Sequence, residues 1–287
     1  MLDRTSTNII ARRPLLMYFV FSYAFFWLLL ISFFVIAVGL LRVDVASLPA
    51  WLIPLLTIIG SWMPSLAAAI VTAVCEGRDG VRRLFARFLQ FRIPAKWYLA
   101  AFIIPLGLAF AGAGIYRLLG GAPSGGGNLS LAFWAGLVGL NFFTGPTGEE
   151  PGWRGFALPR LLQKYNPLKA SLLLGVVWSF WHLPLWLTSG YPPDTLLFYI
   201  LFFNIGIIAL TFLMTWIYRK TACSLVPMTI IHFTYNAAIQ LISPQGLGLG
   251  LLLPLFGWMA GLATLAVLII WGLGGFSDQK KLLKIAI

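Results

Sequence analysis

The chain has two histidines, His182 and His232, and both fall inside long apolar runs. Of its eight acidic residues, Asp3, Asp44, Glu76, Asp79, Asp194 and Asp278 fall in tails or connections. That leaves Glu149 and Glu150, adjacent at the end of another apolar run. An ionisable side chain at the centre of a membrane helix costs at least ~2.5–3.5 kcal/mol, so such residues mark function by default. Asn236 follows His232 by four residues, which puts both on one helical face. Arg154 follows Glu150 at the same spacing and can pair with it, which leaves Glu149 as the free carboxylate. A carboxylate and a histidine can together hold and deprotonate a water, and a histidine and an amide on one face can donate to an oxyanion. A salt bridge or a backbone bond explains any one of these residues. It does not explain all the chain's histidines and its one membrane-level carboxylate pair at once.

The elements that must position them are membrane helices. Of 287 residues, 60% are hydrophobic and 10% are charged, against about 25% charged in a soluble chain. The mean hydropathy is +0.91. With ~20 apolar residues per crossing, the expected architecture is all-α with eight transmembrane helices. They fall at about 14–41, 51–75, 97–119, 131–150, 168–189, 195–218, 222–243 and 247–273. Soluble enzymes, nucleic-acid readers and disulfide scaffolds are excluded; Cys75 and Cys223 sit in no metal-ligand or CxxC spacing. The first run is too long for a signal-peptide core and is read as a permanent span.

Eighteen of the twenty basic residues fall in alternate connections and the tails, and only Arg42 and Arg117 fall on the other side. This predicts both termini in the cytoplasm of a multi-pass protein, and the composition, with no retrieval signal, suggests a bacterial plasma membrane. Val81, Leu84, Phe85, Phe88 and Leu89, interleaved with Arg82, Arg83 and Arg87, predict an interfacial amphipathic helix on anionic lipid. The stretch 120–130 reads as a flexible loop. Pro151 is expected to bias Glu150 away from helical angles and to break the fourth helix beside the carboxylates. Such a break is tolerated only where it is buried in protein or meets water. At ~1.5 Å per residue, Glu149 lies ~27 Å into a span entered from outside, and His182 ~21 Å and His232 ~15 Å into spans entered from inside. The three converge only if the fourth helix is tilted or broken, or the fifth starts below the membrane.

Glu149-Glu150-x-x-x-Arg154, Trp178-x-x-x-His182 and His232-x-x-x-Asn236 stand in that order. They resemble the three motifs of the CPBP family of intramembrane proteases. That family holds the type II CAAX prenyl endopeptidases, including the Ras-converting-enzyme type, and bacteriocin-processing relatives. The resemblance covers about the central third of the chain. The family pattern has Phe where Trp178 stands, and Trp is expected to fill the same aromatic role. The resemblance implies a single membrane-embedded protease domain over 1–287 with its motif-bearing core at about 131–243. Its implied activity is hydrolysis of a peptide bond in a membrane-associated substrate, a prenylated CAAX-type protein being one candidate. By the same resemblance Glu149 and His182 activate water, His232 and Asn236 form the oxyanion hole, and Glu150 with Arg154 supports them.

Glu149, His182 and His232 could also hold a catalytic zinc with one open position. No HExxH is present, and the metal-free glutamate–histidine route is preferred. The expected partners are the lipid bilayer and a peptide or lipidated-protein substrate, with no nucleic acid. Serine and aspartate intramembrane proteases are excluded, since no G-x-S-G and no aspartate within a span is present. The alternative is a non-enzymatic membrane protein, either a proton-coupled transporter or a bacteriocin-immunity or scaffold protein. Glu149, His182, His232 and Asn236 are expected around one cavity open to the cytoplasmic side.

Overall fold

The computed structural model describes residues 8–44, 47–49, 51–121, 130–189, 191–242 and 249–277. Most of the expected 120–130 loop and the C-terminal Lys280, Lys281 and Lys284 lie outside these. Among the described residues every regular element is helical. In chain order these are α1 (Ile9–Arg12), α2 (Pro14–Phe33), α3 (Leu52–Ser61), α4 (Met63–Ala86), α5 (Ala95–Leu118), α6 (Leu131–Ala135) and α7 (Asn141–Phe143). There follow α8 (Pro146–Glu150), α9 (Leu158–Lys164), α10 (Pro167–Trp181), α11 (Leu183–Leu187), α12 (Pro193–Lys220), α13 (Val226–Ile242) and α14 (Leu249–Gly272). Wider π-helical turns prolong α2 over Phe34–Leu40, join α6 to α7 over Gly136–Leu140, and join α8 to α9 over Pro151–Ala157.

Six helical runs among the described residues are long and apolar enough to cross a membrane: Pro14–Leu40, Leu52–Leu89, Ala95–Leu118, Pro167–Leu187, Pro193–Lys220 and Leu253–Gly272. The expected fourth and seventh spans are not among them. The stretch 131–150 is interrupted at Gly145 (φ 157°, ψ −76°). The stretch 222–243 supplies α13 with 17 residues, the helix that carries His232 and Asn236.

The helix starts follow local chemistry. Asn166 caps α10, its Oδ1 accepting from Lys169 N at 2.8 Å, with Pro167 next, where a missing N–H is no loss. The break in the fourth segment is not at Pro151. Glu150 keeps helical angles (φ −62°, ψ −35°), and the wide π turn accommodates the proline. The expectation that Pro151 would push Glu150 out of the helix is therefore corrected: the turn falls on Gly145, upstream of both carboxylates.

One buried core ties the bundle together, running from Tyr18 and Phe26 of α2 through Trp153, Phe156, Trp178 and Met214 to Leu255 of α14. Within it, α12 packs on α10 and α14, α13 on α5, and α2 on α4. Side chains of α2 and α10 bond each other's backbone: Tyr23 Oη donates to Val177 O (2.5 Å), Trp27 Nε1 to Trp181 O (3.0 Å), and Trp181 Nε1 back to Ser22 O (3.0 Å). The expected amphipathic stretch is the last part of α4, which turns at Gly77 (φ 68°), and the short 3₁₀ turn Arg87–Leu89 that follows it. Its Leu84 is buried and its Leu89 exposed. Arg87 reaches into the protein, donating to Gly155 O (2.9 Å) and Tyr218 Oη (3.3 Å).

Candidate active site

Three segments deliver the polar residues. The α8–π–α9 run brings Glu149, Glu150 and Arg154, α10 brings Trp178 and His182, and α13 brings His232 and Asn236. The first of these lies hard against α4. A Cβ on Gly148 would stand 2.7 Å from Ser61 O, and Ser65 Oγ donates to Gly148 O at 2.5 Å.

Glu150 and Arg154 are both fully buried and paired at 3.0 Å. Arg154 Nη2 also donates to Thr211 Oγ1 (3.4 Å), and its guanidinium lies 4.0 Å over the Trp178 ring. The same Glu150 oxygen that takes Arg154 meets His232 Nδ1 at 2.8 Å. A carboxylate only accepts, so Nδ1 carries the proton and Nε2 is left for the cavity. His182 is fixed in the same sense, its Nδ1 donating to Trp178 O at 2.9 Å. Its Nε2 then presents a lone pair when the ring is neutral.

Glu149 is not the free carboxylate that the Glu150–Arg154 pairing suggested. Its Oε2 accepts the indole N–H of Trp178 at 2.6 Å and that of Trp153 at 3.2 Å. Oε1 takes part in neither bond. Trp178 is thus more than the aromatic filler expected of it, because phenylalanine has no N–H to give. Neither tryptophan stood out as a polar partner in the sequence. The signal was present in spacing, Trp153 four residues after Glu149 and Trp178 four before His182.

Glu149, Trp178, His182, His232 and Asn236 line one cavity of about 180 Å³. Gly145 stands beside two of its lining residues. A Cβ there would lie 3.1 Å from His232 Nε2 and 3.4 Å from Asn236 Nδ2, so the turn that breaks the helix also makes room for the polar pair. The turn restarts the helix at Pro146, only a few residues before Glu149. Glu149 also sits in the first turn of α8, where the exposed N–H groups favour a carboxylate.

Among the described residues no three His, Cys, Asp or Glu side chains stand together as a metal-holding group. Glu149 Oε2 is held by two indoles and His232 Nδ1 by Glu150, while Glu149 Oε1 and the Nε2 atoms of both histidines take part in none of these bonds.

The fold and this cluster together define a multi-pass membrane protein with a carboxylate–histidine site inside a helical bundle. Residues 129–238 match a family model described as type II CAAX prenyl endopeptidase, Rce1-like. A CAAX prenyl protease 2 from Methanococcus maripaludis is 35% identical over 101 residues, which is 34% of this chain and 37% of that protein. The chain thus matches little more than a third of that relative's length. Over this motif-bearing segment the chain is similar to the Rce1-like type II CAAX prenyl endopeptidases.

Proposed function

We propose that the chain is an intramembrane endopeptidase that hydrolyses a peptide bond in a membrane-associated substrate. The observation that carries this reading is the single cavity bordered by Glu149, His182, His232 and Asn236. A water between Glu149 Oε1 and His182 Nε2 gives one proton to these bases as its oxygen bonds the scissile carbonyl carbon. The carbonyl oxygen becomes an oxyanion beside Asn236 Nδ2 and His232 Nε2, the latter donating when the ring carries both protons. Collapse restores the C=O bond, breaks the C–N bond, and returns the proton to the leaving amine. Glu150 and Arg154 touch no reacting atom in this scheme. They position His232 and, through the Trp178 ring, the indole that holds Glu149.

The reading extends to eight crossings, with the 131–150 and 222–243 segments counted as the fourth and seventh. It also has both termini in the cytoplasm, supported by the charge asymmetry, and takes the membrane to be a bacterial plasma membrane, supported by the composition. The Rce1-like relationship makes a prenylated peptide one substrate to try, and an unprenylated membrane-anchored peptide the other. The test is turnover of both fluorogenic peptides by purified protein, with Glu149→Gln as control. Cleavage of either, absent in the variant, is the expected result. Equal signals from wild type and variant overturn the reading.

A further inference from the structure

The cavity has a direction. Arg12, Arg82, Lys96, Lys164, Lys169 and Lys220 are exposed and mark one end of the bundle. Between that end and the cavity lies a solid floor: Trp153, Arg154, Phe156 and Tyr218 are all fully buried, and Arg87 is bonded across Gly155 O and Tyr218 Oη. Away from that end, exposure rises along three separate helical runs. On α13, His232 is buried, Asn236 half-buried and Gln240 exposed. These stand ~9, ~15 and ~21 Å from the start of the helix. On α10 and α11, Trp178 is buried, His182 half-buried and Leu185 exposed. From α4 back into α3, Ser65 and Ser61 are buried and Thr57 is exposed. Leu185, Thr57, His182 and Asn236 all line the cavity. Gln240, one turn beyond, keeps the polar stripe going with a bond from its Nε2 to Asn141 Oδ1 (3.2 Å).

We propose that the cavity takes its substrate from the end opposite the basic one. By the charge asymmetry that end is the exoplasmic face. This reverses the cytoplasmic opening expected from sequence. The substrate is then a membrane-anchored peptide whose scissile bond reaches the cavity floor from the exoplasmic leaflet. The walls above the floor, formed by Phe26, Leu30, Leu185, Phe203, Ile239 and Phe256, suit apolar side chains flanking that bond. The words substrate and scissile rest on the proteolytic reading; the direction of access does not.

The test is thiol labelling of the full chain by a membrane-impermeant maleimide, in intact cells and in inverted membrane vesicles, with the unsubstituted chain as baseline. Gln240→Cys and Thr57→Cys report the mouth, and Lys164→Cys reports the basic end. The expected result is mouth labelling in intact cells that is lost in inverted vesicles, and the reverse for Lys164→Cys. Mouth cysteines labelled only in inverted vesicles, alongside Lys164→Cys, overturn the proposal. So does a lack of mouth labelling in both preparations while Lys164→Cys reports normally. The two mouth positions lie on different helices, so a folding failure of one variant leaves the other to decide. Labelling needs no turnover, so repeating it with Glu149→Gln separates a wrong access side from a wrong activity.

Discussion

The run Gly148–Pro159 and the helix α14 lie in the same bilayer but are built on opposite terms. Every residue from Gly148 to Pro159 is buried, although the run holds two glutamates, an arginine and two prolines. Leu265, Leu268, Ile269 and Trp271 of α14 are all exposed, although the helix is almost wholly apolar. In water this would be inverted. In lipid the apolar helix is at home facing outward, and a charged segment must be enclosed by protein that satisfies it. What holds the two regions differs accordingly: specific donors and acceptors in the first, length and composition in the second.

The sharpest way to test that difference is to change a reacting group without changing its shape. Glu149→Gln keeps the size of the side chain and removes the acceptor of the water's proton. Turnover of a cleaved peptide should fall about 10²–10⁴-fold, with the thermal transition of the detergent-solubilised protein little changed. Full activity would remove Glu149 from the role of base even with the cavity present.

Glu150→Ala attacks the enclosure itself. It strands a fully buried Arg154 and unties His232. A loss of about 3–5 kcal/mol is expected, read as a lowered unfolding midpoint and poor yield. A variant as stable as wild type would mean that Arg154 finds another partner. Gly145→Ala sets a methyl against His232 Nε2, and misplacement of a reacting group on this scale costs about 10²-fold in rate. The expected signature is a reduced kcat in a protein that still folds.

Trp178→Phe is gentler. It keeps an aromatic face under Arg154 and removes one of the two indole donors on Glu149. A hydrogen bond to a charged group contributes about 1.5–3 kcal/mol. Both stability and kcat should drop, KM should hardly move, and Trp178→Leu, which also removes the ring, should do worse. If Phe matches Trp in both assays, the N–H of Trp178 is idle. Leu268→Ala on the lipid-facing side of α14 closes the series with an expected change within about 0.5 kcal/mol. A large effect there would mean that α14 has a protein neighbour on that face.

Sequence alone displayed the all-α membrane class, the Glu150–Arg154 pair and the shared face of His232 and Asn236. These depend on composition or on spacing within one helix. The helix break was misplaced, because proline at position 151 is a loud signal and the glycine at 145 a quiet one. A π turn carries the proline without leaving the helix, and periodicity does not announce such turns. The double indole grip on Glu149 was hidden for another reason. Trp178 is 29 positions from Glu149 in sequence, and tryptophan in an apolar run looks like bulk rather than a donor.

The exchange of bonds between α2 and α10 bears on how the chain is made. Trp27 and the carbonyl it meets are 154 residues apart, and Trp181 and Ser22 are 159 apart. At about 5–20 residues per second of synthesis, α2 waits roughly 8–30 s before α10 exists. During that interval the indole of Trp27 and the phenol of Tyr23 have no native acceptor. An N-terminal fragment ending before α10 should therefore leave these donors unsatisfied, and only a chain elongated past Trp181 can complete the α2–α10 contact.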